Sequence, residues 1–498
     1  MYVEGLRKRK EYDELQHSER SDRSKQFRGF VDDLSKRLKV PKDQLYENQY
    51  TMPPNQLLQL DGSIRNQMRA IDGVKIPCEN TLSKLKMELA VTHGTMTGEF
   101  LRGGLMGAYM SDPLTFLQSV STRSQFLCIG GDAGNGVSKL GVTYTNRRGK
   151  QKFQPLLVYA GKDDWESLEK LKHEPGEEPL TPFFGATRLA QLSGHSINDI
   201  WDLFQYVKDT CRKPVYLNGD MAFLLAVQGC KTASSLNPCP ICIVAADKTR
   251  SDALRLSQQL LEPAAPRRPE LPVGKHSKEH KSLLFFSPDE IVPLPLHILL
   301  GLCNRIISDT YAELLGAEKL KAAWDSVKST PAWKSGVADI FGLNGPELCR
   351  WERRDIIAPI LNELKLSRTQ HKRAEKCQLW ISGLHRHLLH ARNWTDAEVS
   401  EFTSLVASMQ SEWTAVTNTT VTPKVHMLTH AVEWVKKHGR LGVCSEAQIE
   451  SYHARFTRIM NDHHSNLGWD LSRRMVRTLA DSAVAAATQM SSAAAKTD

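Results

Sequence analysis

Between Gln125 and Asp220 the chain takes on a texture that restricts its fold more than any other feature. Residues 125–131 (QFLCIGG), 140–145 (LGVTYT) and 153–160 (FQPLLVYA) are short runs rich in β-branched and aromatic side chains. Gly-rich or basic turns separate them, so they predict three successive strands, paired antiparallel. Residues 194–212 follow with Ile197, Ile200, Leu203, Phe204 and Val207 at helical spacing. Residues 214–217 (PVYL) then predict a fourth short strand, which ends at Asn218-Gly219-Asp220.

The flanking segments read differently. Residues 1–70 mix both charge signs and predict helices broken by Pro41, Pro53 and Pro54; residues 75–120 carry an apolar pattern suited to further helices. From 243 to 290 the chain is Pro-rich and charged, the composition of an exposed loop. From 296 to 438 nearly every segment has helical spacing. The clearest start is Thr395-Asp396-Ala397-Glu398, a capping box. The Ala- and Ser-rich tail after Ala480 predicts fraying.

The bulk numbers bound the function classes. With 498 residues, 41% hydrophobic and 24% charged, the chain is long enough for several packed domains and too apolar for wholesale disorder. The net charge of +9 suits a polyanionic partner, and equally an ordinary mildly basic protein. No apolar run reaches the ~20 residues that span a bilayer, and the polar N-terminal stretch has no secretory h-region. Ten cysteines are too sparse for a disulfide scaffold and imply a reducing compartment. Arg7-Lys8-Arg9-Lys10 reads either as part of a nuclear address or as a helix surface.

Three carboxylates attract attention in this frame. Asp132 lies at the end of the first strand in Gly130-Gly131-Asp132-Ala133-Gly134, where glycines would admit a metal-bound phosphate. Asp220 lies at the end of the fourth. Taken singly, each also reads as a turn former or helix cap. Residues 445–460 predict a helix with Glu446 and Glu450 on a common face. Phosphodiester chemistry with Mg²⁺ needs such acids gathered together, because Mg²⁺ prefers hard oxygen ligands.

A second constellation is built from soft donors. Cys239 and Cys242 form a C-x₂-C knuckle, and His426 and His430 form H-x₃-H on one helix face. Together they make a Cys₂His₂ set for structural zinc. A redox cysteine pair and two unrelated core histidines are the competing readings. The pairs lie just after Asp220 and just before Glu450, so a zinc joining them would staple the ends of a long insertion beside the acids.

The Asp132 strand end, Asn218-Gly219-Asp220 followed by C-x₂-C, and the block VHMLTHAVEWVKKHGRLGVCSEAQIESYHARF resemble Transib DNA transposases and the catalytic core of the RAG recombinase. The resemblance runs from about Asp132 to Phe456, and the length of the chain favours the transposase. It implies an α/β RNase H-like (DDE) core interrupted by a large, mostly α-helical zinc-binding insertion, with an α-helical N-terminal region and a short helical C-terminal tail. The expected divisions are a helical DNA-binding and dimerisation region (1–70), a helical segment before the core (71–121), the first part of the core (122–232), the zinc-binding insertion (233–434), the catalytic-Glu helix (435–460) and the tail (461–498).

Carried over, the catalytic acids are Asp132, Asp220 and Glu450, holding two Mg²⁺ or Mn²⁺; Ser451 after Glu450 selects it over Glu446. The zinc ligands are Cys239, Cys242, His426 and His430, with one residue fewer between the histidines than in the recombinase. His297 matches a histidine near the recombinase active site, and also reads as a core histidine. The implied activity nicks transposon ends, forms hairpins on flanking DNA and joins the freed 3′ ends to target DNA. The implied setting is the nucleus, with a homodimer synapsing two DNA ends and no membrane. An inactive, domesticated DNA-binding relic and a simple metal-dependent nuclease are the alternatives. Arg353, Arg354, Lys372, Arg373, Arg455 and Arg458 are candidate phosphate contacts, against the reading of each as part of a solvated helix face.

Overall fold

The structure is a computed structural model. It describes residues 97–486 apart from 175–193, 245–265, 329–365, 458–470 and several stretches of one to four residues. The segment 1–70, Arg7 to Lys10, and the candidate contacts Arg353, Arg354, Arg455 and Arg458 lie outside the described residues. By its internal contacts the chain divides into two units, Gly98–Thr478 and a second made of Met1–Thr97 with Leu479–Asp498. The elements that bear on function belong to the first.

Its centre is a mixed six-stranded sheet. The strands are β1 (Thr97–Arg102), β2 (Leu105–Met110), β3 (Leu127–Gly134), β4 (Val137–Thr145), β5 (Gln151–Ala160) and β6 (Val215–Gly219). Their spatial order is β1-β2-β5-β4-β3-β6. β3, β4 and β5 pair antiparallel in sequence, and β6 lies parallel to β3. A parallel neighbour needs a crossover, and the segment containing the helix predicted over 194–212 supplies it, helical over Ile200–Thr210. The far edge of β6 is covered near Ile291, which bridges Leu217 in parallel, and the Val292 amide donates to the Leu217 carbonyl at 2.9 Å.

β3 and β4 are buried along almost their whole length rather than on alternate residues. That is the pattern of strands covered on both faces. Leu127, Ile129, Leu140 and Val142 are each fully buried, and each such aliphatic side chain contributes roughly 1.5–3 kcal/mol. β5 carries Pro155 inside a central strand. The proline has no amide to donate, and the register slips there between Leu140 and Gly141, a bulge that accommodates it.

Two sequence expectations need correction. Residues 97–110, expected to be helical, form β1 and β2, and β2 pairs antiparallel with β5. Helical spacing and a partly buried strand can draw on the same apolar residues, and tertiary pairing decides between them. Only Pro113–Ser121 is helical in the described part of that segment, capped by Asp112. The first strand also runs two residues past Asp132, to Gly134.

Between Met221–Val227, the short helix after β6, and Pro295, the described residues are irregular apart from one 3-10 turn at Pro288–Glu290. The irregular part is not simply an exposed loop. Arg267 is 1% exposed and donates to the carbonyls of Cys239 (2.9 Å), Asn237 (3.0 Å) and His276 (2.9 Å). The described residues from Pro295 to His438 are mostly helical, as predicted: Pro295–Arg305, Ala317–Lys328, Arg368–Leu388, Asp396–Thr417 and Pro423–His438. The Thr395–Glu398 capping box forms in both directions. Residues 447–453 are helical and return to the sheet, where Tyr452 meets the Phe153 ring edge-on at 5.6 Å between centroids. No helix of the described residues is long and apolar enough to cross a membrane.

Candidate active site and metal centre

Asp132 and Asp220 come together through strand register. Gly131 is paired with Gly219 across the parallel β3–β6 ladder, and each aspartate is the next residue. Adjacent strands are about 4.8 Å apart, so the two carboxylates leave neighbouring backbones at the same level of the sheet. Asp220 is also the cap of Met221–Val227, its Oδ1 accepting the Phe223 amide at 2.7 Å. The capping reading and the acid-cluster reading of Asp220 therefore hold together. Burial raises the Asp220 carboxyl above its usual range, and the charges of Asp132 and Glu446 raise it further.

Glu450 reaches the same place from a helix on the far side of the insertion. Its carboxyl is raised by burial and then by the charge of Asp132, while His297 and His453 pull it back. Glu446, one turn earlier, is 1% exposed and does not face solvent. It accepts the His297 amide at 2.7 Å and the His297 ring Nδ1 at 3.0 Å. His297 Nε2 lies 3.5 Å from Glu450 Oε1, so the ring bridges the two glutamates. Burial opposes charge on His297, but the Glu446 hydrogen bond and the charges of Glu446, Asp220 and Glu450 outweigh it and raise the ring to about 9. This is a histidine beside acids, not a core filler.

Sequence reasoning missed three further members. Asp163, 9% exposed, is pushed up to about 7 by burial against a Ser138 hydrogen bond, and Asp132 and Asp220 raise it too. Lys139 is fully buried directly across from Asp132 on β4. His453 Nε2 lies 2.8 Å from Asp132 Oδ2. Only the register of β3 with β4, and the near-turn step along the helix from Glu450 to His453, hold a signal for the last two.

The glycines serve packing. A side chain at Gly130 would meet the Asn218 carbonyl oxygen at 2.6 Å and Ile449 at 3.1 Å, and one at Gly134 would meet His453 Nδ1 at 2.3 Å. They admit β6 and the helix of Glu450, which fill the space expected from the sequence to admit a phosphate.

The second centre is a buried cluster of Cys239, Cys242, His426 and His430, whose ligand atoms all lie within 4.8 Å of one another. The cysteines form a knuckle in which Cys239 Sγ accepts the amides of Ile241 (3.3 Å) and Cys242 (3.4 Å). The histidines lie one turn apart on Pro423–His438. Cys242 Sγ is 3.1 Å from His426 Nε2, which is 3.2 Å from His430 Nε2. In a tetrahedral zinc site the corresponding edges are roughly 3.6 and 3.3 Å. The donor set and its spacing fit a zinc ion. The Cys239 hydrogen bond and both imidazoles draw the Cys242 thiol far down against the cost of burial, which favours a thiolate there.

Of the described basic candidates, Lys372 is exposed. Arg373 is not available for phosphate: it donates to the Val416 carbonyl at 2.8 Å and to Glu313 at 3.1 Å. That interhelical pairing consumes its fork.

Comparison with protein-family models gives no match for this chain. Comparison with curated proteins gives no significant match either.

Proposed function

We propose that this chain is a DDE-type cut-and-paste DNA transposase of the Transib kind, built on an RNase H-like core with a zinc-stapled helical insertion. One observation carries the reading. Three acids, from β3, from the end of β6 and from a helix beyond the insertion, crowd one place, where burial and then the charge of Asp132 raise the proton affinity of Asp220 and of Glu450. Carboxylates repel when gathered, and a cluster of this kind suits a divalent cation. The strand order β5-β4-β3-β6, antiparallel except for its last pair, supports the RNase H-like reading.

In this reading Asp132, Asp220 and Glu450 hold two Mg²⁺ or Mn²⁺. Such ions, when bound, lower the pKa of the attacking water or 3′-hydroxyl and stabilise the leaving oxygen. Asp220 caps its helix with one carboxylate oxygen and keeps the other for the site. Glu446 holds His297 in place, and His297 contributes positive charge beside Glu450. The zinc ligands Cys239, Cys242, His426 and His430 tie the two ends of the insertion, which keeps the helix of Glu450 near β3 and β6. The partners are transposon terminal inverted repeats and target DNA, with two copies of the chain in a nuclear synaptic complex.

The test is incubation of the protein with Mg²⁺ or Mn²⁺ and a library of candidate transposon-end duplexes, with products resolved on denaturing gels. Metal-dependent hairpins and joined ends, absent with Asp220→Asn, are expected. Nicking without joining would indicate a plain nuclease. Binding without cleavage, on an end known to be mobilised, would indicate an inactive relic.

A further inference from the structure

Lys424 is a cation that the three-acid reading leaves unused. It is the second residue of the helix Pro423–His438, whose first turn holds no acidic residue. A helix N-terminus carries partial positive charge, so the helix gains no stability from a lysine at this position. The half-buried side chain lies across Gly301 of the helix Pro295–Arg305. A Cβ at Gly301 would meet the lysine stem, with Cε at 3.1 Å and Nζ at 3.2 Å. The glycine leaves room for the ammonium to rest there.

That place faces the acids. Gly301 lies one turn along from His297 on the same helix face, and His297 touches both Glu446 and Glu450. The charges of Asp220 and Glu446 act on the Lys424 ammonium against the cost of its burial. Neither acid pairs with it. Glu446 accepts from His297 and Ser445, and Asp220 accepts the Phe223 amide. Among the described residues Lys424 makes no hydrogen bond or ion pair.

A partly buried ammonium without a partner calls for an anion. Once divalent cations neutralise the carboxylates, those acids no longer attract it. A phosphodiester drawn to the same cations supplies the missing charge, and a lysine binds phosphate as a point charge.

We propose that Lys424 is a substrate-binding residue that contacts a backbone phosphate of DNA at the acid cluster. The proposal rests on the reading of that cluster as a DNA-cleaving site.

The salt dependence of DNA binding tests it. Fluorescence anisotropy with a labelled random-sequence duplex is measured over a range of KCl, in Ca²⁺, which also takes carboxylate oxygens. Lys424→Met keeps the stem over Gly301 and removes the charge. Its slope of log affinity against log salt should be shallower than the parent's by about 0.9, the contribution of one phosphate contact. Lys424→Arg should keep the parent slope. In Mn²⁺ titration calorimetry Lys424→Met should bind the ion no more weakly than the parent, since a neighbouring cation repels it. A folded Lys424→Met with the parent's slope, or with weakened Mn²⁺ binding, overturns the proposal. Should Lys424→Met not fold, Lys424→Gln is read in the same way. A parent that binds the duplex but takes up no Mn²⁺ removes the cation reading of the acids, while the slope still decides the role of Lys424. A parent that binds no duplex overturns both.

Discussion

Asp220 accepts the Phe223 amide with Oδ1 and lies beside Asp132. Asparagine caps a helix about as well as aspartate does. Asp220→Asn should therefore cost less than about 1 kcal/mol of stability while its strand cleavage falls by more than the ~10–100-fold of an outer-shell change. Thermal melts and gel assays on the same preparation separate the two effects. His297 carries a pH signature. Its ring is raised from 6.5 to about 9 in the folded chain, so the folded state binds the proton more tightly than the unfolded one. The stability it contributes is fully present below about pH 6.5 and is lost as pH rises through 9. Denaturant melts of His297→Gln in chelator should show a shallower decline across that window; an unchanged slope would remove His297 as its source.

At the scale of elements, the knuckle around Cys239 depends on a residue from the Pro-rich stretch. Arg267 donates to three carbonyls and to Cys230 Sγ at 3.3 Å. Arg267→Met leaves those buried acceptors without donors, and a destabilisation of at least ~1–3 kcal/mol is expected. Urea unfolding would register it, together with loss of bound zinc if the knuckle opens. The helix of Glu450 depends on glycine as well as on the ties of Glu446 to His297. Gly130 admits Ile449, and Gly134 admits His453. Side chains of this helix thus approach the sheet through gaps in β3.

For the molecule as a whole, the Cys₂His₂ cluster joins segments far apart in the chain. Cys242 and His426 are 184 residues apart, and tethering ends so distant offsets a loop-closure cost that grows only slowly with length. Mass spectrometry of the native protein should find one zinc per chain. Its removal by a strong chelator should lower the melting temperature and speed amide exchange in both the knuckle and Pro423–His438. Faster exchange in only one of the two would argue against a shared ion. The acid cluster should loosen as well, because the helix of Glu450 follows closely on Pro423–His438, which carries both histidines.

Much of this was legible in the chain. The strands over 127–160 and 215–219 announce themselves through β-branched runs and turns, and the helix start at Thr395 through its capping box, because these signals are local. The Cys and His pairs were legible as donors because ligand chemistry restricts residue type and spacing. The hairpin at 97–110 was not, since an apolar pattern does not say whether it will meet a sheet edge. Nor were Lys139, His453, Asp163 or the burial of Arg267, whose positions depend on strand register and on contacts between residues distant in the chain. The sequence by itself determined which groups are available for metal chemistry. Tertiary structure alone decided which carboxylates share one place, which one holds a histidine instead, and that a buried lysine lies beside them, because proximity across a sheet is set by pairing and packing.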